Sequence, residues 1–542
     1  MTQSSTEWWR TGVVYQVYVR SFADGNGDGT GDIAGLRQRL GYLSKLGVDA
    51  LWMNPWYASP LRDGGYDVAD YRRIDDRFGT TEEVEALIAE AHELGIRIIA
   101  DLVPNHTSSD HVWFQEALKA APGSPERDRY MFRKGKGDNG ELPPTNWTAV
   151  FGGSAWEPVG DGWWYLHLFD VSQPDLNWEN EEVRAEFDSV FRFWLERGID
   201  GFRIDVAHGM IKDPTFPDVE RVGAILESET TANHPFWDRD GVHEINRRWR
   251  SILDEYEDRM MVAEAWVAPE SLPLYLRPDE YHQSFNFDLL GAEWGAEEFT
   301  RVIGVAVAAA EEIGAASTWV LSNHDVMRHA TRYGLAKGSA WRKWPVTGPV
   351  EALDVELGQR RARAACLITM SLPGSTYVYQ GEELGLPEVW DLPEEVLDDP
   401  TWERSGHAEK GRDGCRVPIP WTRSGPSFGF GDVEPWLPQP ESFGAMSAEA
   451  EQGDPSSMLE LYRAAIAARK THLIDDQSFE MLDLGPDVLA YRRGVLQVVV
   501  NMGSTPIPLP AGEVLLTSFD SSEALSGGGQ LPSDSAVWLA VS

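Results

Sequence analysis

Short runs of β-branched and aromatic residues alternate along the chain with stretches whose apolar positions recur every three or four residues. The runs at 13–19, 50–53, 97–103, 201–206, 260–265, 282–287, 318–321 and 376–379 read as strands. Between them, 36–46, 183–197, 245–256, 296–310 and 360–371 read as helices, with a later one at 456–469. The helix after the second strand is marked most clearly. Thr80 and Glu83 form a capping-box pair, Val84, Leu87, Ile88 and Ala91 repeat on one face, and Gly95 supplies a stop. Eight strands, each followed by a helix or a long connection, predict a parallel sheet closed into a (β/α)₈ TIM barrel, an α/β fold.

The rhythm breaks at Pro104. From 107 to 174 the chain is rich in Gly, Pro, Trp and Asn and shows no long periodic helix, which predicts a loop-rich domain inserted after the third strand. Beyond Thr471, short runs such as Val488–Tyr491 and Leu496–Val500 are separated by Gly, Pro and Ser turns, the texture of an antiparallel β domain. The expected organisation is a catalytic barrel at 1–106 and 175–472, an inserted domain at 107–174 and a small C-terminal β-sandwich at 473–542.

Composition narrows the class. The chain of 542 residues is 42% apolar and 25% charged, which fits a globular protein and not a disordered or collagen-like one. A net charge of −40 sets nucleic acid and anionic lipid aside as partners and favours neutral or cationic ligands. The longest apolar run, near Val302–Ala310, is far below the ~20 residues that span a bilayer, so no membrane insertion is expected. Two cysteines, Cys366 and Cys415, make neither a disulfide framework nor a zinc motif. The first ten residues lack the pattern of a signal peptide, and the expectation is a cytoplasmic protein.

A barrel of this kind carries its active site where strands end and loops begin. Polar residues gather there: Asp101, Asn105 and His106 after the third strand, Arg203 and Asp205 at the fourth, Glu264 at the fifth, and Asn323, His324 and Asp325 after the seventh. Carboxylates on separate strands, with neither a Ser–His pair nor a thiol among them, point to chemistry at an acetal carbon, where one carboxylate attacks and another acts as acid. Arg203, two residues before Asp205 on an alternating strand, shares its face and is expected to keep it ionised. Glu264 lies in an apolar run, and burial there is expected to favour its protonated form.

The segments Asp101–His106, Gly201–Asp205, Glu264–Trp266 and Ser322–Asp325 together resemble the α-amylase family, glycoside hydrolase family thirteen. Gln173–Trp178 is similar to the segment that marks its α-glucosidase and oligo-1,6-glucosidase branch. The resemblance implies a retaining exo-acting α-glucosidase, with Asp205 as nucleophile, Glu264 as acid and then base, and Asp325 holding ring hydroxyls. It further implies that His106, Arg203 and His324 contact the terminal glucose and that Tyr66 is a platform beneath it. Asp63 and Arg412 would seal the pocket, with Phe169 as a further wall. The implied partner is a small α-glucoside such as maltose, isomaltose or sucrose. A glucosyl transferase or a sucrose/trehalose isomerase running through the same intermediate is the alternative, and the resemblance gives no oligomeric state.

Two departures bear on the substrate. The stretch Arg412–Trp421 keeps both arginines of the family pattern but has Gly, Cys and Pro at neighbouring positions. Val206, after the nucleophile, is similar to α-1,6-acting relatives, whereas Ala207-His208-Gly209 is not, so linkage preference stays open, as does whether His208 meets a second sugar or packs. Finally, Asp24, Asn26, Asp28, Thr30 and Asp32 alternate with glycines at EF-hand-like spacing, although Gly35 stands where the bidentate Glu would be. The expected cofactor is a structural Ca²⁺, with Mg²⁺ as the other ion these oxygens suit, and no organic cofactor is expected.

Overall fold

The strands form because their β-branched and aromatic residues are buried on both faces, as helix-covered parallel strands require. In the computed structural model, which describes residues 7–219, 234–339, 353–473, 476–520 and 529–541, eight of them lie in one sheet. They are β1 (Val13–Val17), β2 (Ala50–Met53), β3 (Arg97–Leu102), β4 (Gly201–Ile204), β5 (Met260–Ala263), β6 (Gln283–Ser284), β7 (Thr318–Val320) and β8 (Ser375–Tyr379). All pairings are parallel and run in the order β6-β5-β4-β3-β2-β1-β8-β7. The open seam between β6 and β7 is bridged by a side chain: Thr318 Oγ1 donates to Ser284 O at 2.7 Å and accepts from Asn286 N at 3.1 Å. β6 is the shortest strand because Asn286 already caps a helix at Phe287–Gly291.

The helices α1 (Ile33–Leu46), α2 (Thr81–Glu93), α3 (Glu181–Leu195), α4 (Val242–Leu253), α5 (Ala296–Ile313) and α6 (Val355–Ser371) surround the sheet. α2 carries the expected Thr80–Glu83 capping box. Asp32 caps α1 and Asp354 caps α6, which moves both starts upstream of the apolar pattern. The lumen is filled, from Trp8 and Trp9 upward through Val14, Ile99, Met260, Val262 and Val320 to Trp52, Phe285 and Tyr377. Only one mouth is therefore left for chemistry.

The insertion contains a three-stranded antiparallel sheet of Phe132–Lys134, Trp163–Leu166 and Trp156–Pro158. It also contains an eight-residue helix, Val112–Lys119, too short for its periodicity to show in the sequence. At the C-terminal end a five-stranded antiparallel sheet presses one face on α6, where Tyr491 Oη lies 2.7 Å from Ser371 Oγ and Trp538 Nε1 donates to Leu367 O at 3.0 Å. Its second layer includes a two-stranded ribbon, Ile507–Pro508 with Gln530–Leu531.

Candidate active site

Strand alternation sets the site's floor. Ile99 and Asp101, Arg203 and Asp205, and Val262 and Glu264 are spaced by two, so each pair faces the lumen. β4 ends at Ile204 and β5 at Ala263, which leaves Asp205 and Glu264 as the first residues beyond their strands. The backbone pins them there: Asp205 N donates to Leu102 O at 2.9 Å and Glu264 N to Ile204 O at 2.9 Å.

One guanidinium gathers the carboxylates. Arg203 Nη1 lies 2.9 Å from Asp101 Oδ1 and 2.5 Å from Asp205 Oδ1, while Nη2 lies 2.7 Å from Glu264 Oε2. Asp205 and Glu264 are within hydrogen-bonding reach of each other. Burial pushes the Asp205 carboxyl well above the usual range; Arg203 pulls it down, and Glu264 and Asp101 raise it. The expected contact of Arg203 with Asp205 is present, but that one cation is shared with Asp101 and Glu264, and burial bears on Asp205 too. The Asp205 side chain is 9% exposed and that of Glu264 14%.

Val206 makes this geometry at the expense of strain. Its φ of 47° is rare for a β-branched residue, and its N–H donates to Glu264 Oε2, 3.1 Å away. His208 behind it is fully buried, with its ring 5.0 Å from that of Trp237. It packs and does not line the opening, which settles the choice that the sequence left open.

A second set of residues forms one wall. Arg412 touches Asp63 Oδ1 at 2.7 Å, Asp325 Oδ1 at 2.8 Å and Asp399 Oδ2 at 2.5 Å. Arg416 adds Nη2 at 3.1 Å from Asp325 and donates from Nε to His324 O at 2.9 Å. Burial opposes ionisation of Asp325, but His324, Arg412 and Arg416 hold its carboxyl well below the usual range. His324 is itself pushed far down by burial, so it is neutral. Gln16 Nε2 lies 2.8 Å from its Nδ1, which places the ring proton on Nε2, facing Asp325 Oδ2 at 3.1 Å.

Tyr66 lies in the turn Asp63-Gly64-Gly65-Tyr66. Gly64 and Gly65 have φ of 58° and 109°, and a Cβ on Gly64 would stand 2.7 Å from Tyr18 Oη. The Tyr66 ring stacks on His324 at 5.1 Å, and its hydroxyl donates to Asp101 Oδ2 at 2.9 Å while accepting from Asn54. His106, made neutral by burial, which lowers its pKa to about 4, lies 5.1 Å from the Phe169 ring. Gln173 Nε2 reaches both Asp63 Oδ2 at 2.9 Å and the His106 ring at 3.1 Å.

The structure thus brings Asp63, Tyr66, His106, Phe169, Arg203, Asp205, Glu264, His324, Asp325 and Arg412 around one mouth. Sequence reasoning missed Asp399, which anchors both arginines. It sits before Pro400 as the cap of a short helix, and that is all its neighbours signal. Gln16 gave no signal at all, being one polar residue inside an apolar strand.

The candidate cation residues stand apart, on the loop between β1 and α1. Asp24, Asn26 and Asp28 each accept a backbone N–H from two residues on, at 3.1, 2.9 and 2.8 Å. Asp32 accepts from Gly35, Asn26 and Gly25. Among the described residues, no three His, Cys, Asp or Glu side chains converge as metal ligands.

The model of the alpha amylase catalytic domain matches residues 16–477, and a domain of unknown function, DUF3459, matches 482–538. The chain is 37% identical to a probable alpha-glucosidase of Rhizobium meliloti (strain 1021), over 87% of this chain and 84% of that protein. It is 35% identical to the oligo-1,6-glucosidase of Parageobacillus thermoglucosidasius, over 95% and 96%. The crystal structure of the alpha-glucosyl transfer enzyme XgtA superposes with a TM-score of 0.86 at 33% identity, covering 99% of this chain and 100% of that one. With its barrel, its lumen-facing carboxylates and this extent of likeness, the chain belongs to the α-amylase family, glycoside hydrolase family thirteen, in the α-glucosidase and oligo-1,6-glucosidase branch.

Proposed function

We propose that this enzyme releases terminal α-linked glucose from small oligosaccharides or disaccharides with retention of configuration. The observation that carries the reading is the single guanidinium of Arg203 bound to both Asp205 and Glu264, which supports a nucleophile and an acid that act on one scissile bond. Asp205 attacks the anomeric carbon while Glu264 gives its proton to the departing oxygen. Water then attacks the glucosyl ester, with Glu264 taking the proton back. Asp325, kept ionised by Arg412 and Arg416, accepts hydrogen bonds from ring hydroxyls, and Tyr66 lies under the ring.

Exo action is argued from the ion pair between Asp63 and Arg412, which closes the wall that carries Asp325. A chain extending past the terminal glucose would have to break it. The natural substrate is proposed to be a neutral α-glucoside such as maltose, isomaltose or sucrose, with the linkage open. A second reading, glucosyl transfer or isomerisation through the same ester, is supported by the likeness to an alpha-glucosyl transfer enzyme. Incubation with maltose, isomaltose, sucrose and trehalose, with products followed by NMR, tests both. Glucose released first as the α anomer supports retaining hydrolysis, and new disaccharides support transfer. A β anomer released first would overturn the retaining mechanism.

The β1–α1 loop is proposed to hold Ca²⁺, or Mg²⁺ on the same oxygens, in a structural role. The donor set fits a hard cation, being entirely oxygen, and the successive backbone contacts of Asp24, Asn26 and Asp28 follow the winding of such loops. The proposed setting is the cytoplasm. Cys366 and Cys415 are both free and buried, and no described helix is long and apolar enough to cross a membrane.

A further inference from the structure

The two oxygens of Glu264 have different neighbours. Oε2 meets the Arg203 guanidinium at 2.7 Å and the Val206 N–H at 3.1 Å. Oε1 accepts the indole N–H of Trp266 at 3.1 Å. Two donors, one of them a full charge, make Oε2 the oxygen that carries negative charge. A proton placed there would point at other protons, so the acid form of Glu264 carries it on Oε1.

We propose that Trp266 is a positioning residue for the acid–base step, fixing the carboxyl plane of Glu264 through its indole N–H, and that Phe287 holds the indole in place. This rests on the assignment of Glu264 as acid and base made above. The Trp266 and Phe287 rings stack with centroids 3.6 Å apart and planes inclined by 2°. Phe287 is the first residue of the helix that Asn286 caps, directly after the barrel seam. The main chain of Glu264 is also held, by Ile204 O at its N–H and by the Ala207 N–H at its carbonyl. Backbone, Oε2 and Oε1 are then all constrained, and the proton sits on the Oε1 lone pair that Trp266 leaves free. In the forward step the Oε1–H bond breaks as its proton joins the leaving oxygen, and the electron pair stays on Glu264. In the return step the same oxygen takes a proton from water.

The test compares leaving groups. A disaccharide needs the proton to depart, whereas 2,4-dinitrophenolate leaves without it. Trp266→Phe keeps the stacked ring and deletes the N–H. Since general acid catalysis supplies about 10²–10⁴-fold, partial misplacement of the acid should cost about 10–100-fold in kcat/KM for the disaccharide, carried by kcat. For 2,4-dinitrophenyl α-glucoside kcat/KM should stay within about twofold, because its first step does not use the proton. Phe287→Leu should show the same split to a smaller degree and serves alone if Trp266→Phe does not fold. An equal loss for both substrates, or no loss for either, overturns the proposal. Glu264→Gln is the control: it should show the split at full size. If Glu264→Gln shows none, the assignment of Glu264 fails, independently of Trp266.

Discussion

Arg412 Nη1 lies 2.8 Å from Asp325 Oδ1, so the wall proposed to close the pocket and the carboxylate proposed to bind ring hydroxyls are one electrostatic unit. The same guanidinium reaches Asp63 and the buried Asp399, and Arg416 backs Asp325 from the other side. The proposed recognition of substrate thus depends on a fork whose prongs have fixed angles.

A lysine at 412 is therefore not conservative. A point charge on a flexible stem cannot meet all three carboxylates at once. Arg412→Lys should raise KM for disaccharides about tenfold or more, since one charge-assisted contact to a positioned group accounts for about 1.5–3 kcal/mol. Arg412→Ala should also destabilise the fold by about 2–3 kcal/mol. That is below the ~3–5 expected for a broken buried pair, because Arg416 still faces Asp325 and Asp399. Steady-state kinetics and thermal unfolding check the two effects. An Arg412→Lys enzyme with wild-type KM would remove the fork from substrate binding.

Asp205→Asn keeps the size of the side chain and loses the nucleophile. The variant should fold and turn over at least ~10³-fold more slowly on every glucoside, good leaving groups included. A 5-fluoro-α-glucosyl fluoride should label wild-type protein on the peptide carrying Asp205 and leave the variant unlabelled, as read by mass spectrometry. Label on another carboxylate would move the nucleophile.

These residues were legible for a simple reason. Asp205 and Glu264 each follow a strand directly, so a two-residue alternation carried from the strand already places them on the lumen face. The Thr80–Glu83 cap is equally local. Asp399 and Arg416 were not legible, because their roles consist of contacts with a residue from another strand end: Asp399 reads from its neighbours as a helix cap before Pro400. Thr318 is similar, an ordinary strand threonine until Ser284 is known to stand across the seam. The sharing of Arg203 among three carboxylates was not legible for the same cause. Arg203 is visible two residues away, whereas Asp101 and Glu264, which share that cation, come from other strands.

The β1–α1 loop gives a prediction that leaves chemistry untouched. Dialysed protein should retain about one divalent ion per chain, and a chelator should lower the unfolding temperature while kcat at moderate temperature is unchanged, because an ion that binds only the folded state stabilises it by mass action. Asp28→Asn, at an exposed ligand position, should weaken the ion's hold and leave kcat alone. Metal analysis that finds no bound ion would end the proposal.

Glu382 carries the clearest pH signature of the fold. It lies after β8, buried, with Oε1 accepting from Tyr462 Oη at 2.7 Å, and burial pushes its pKa up to about 8. A carboxyl raised in the folded state binds its proton more tightly there than in the unfolded chain. Its contribution to stability is thus whole below the ordinary glutamate range and is lost as pH rises through about 8. Glu382→Gln stays neutral throughout. Between pH 5 and pH 8 the wild-type protein should lose at least about 1 kcal/mol relative to the variant, since each tenfold change in proton affinity between folded and unfolded chain corresponds to about 1.4 kcal/mol. Catalysis should not share this dependence, because Glu382 touches none of the residues at the mouth. Unfolding temperatures recorded across that range for both proteins decide it: parallel curves would mean that Glu382 is already ionised in the fold, and that Tyr462 and the neighbouring main chain outweigh its burial.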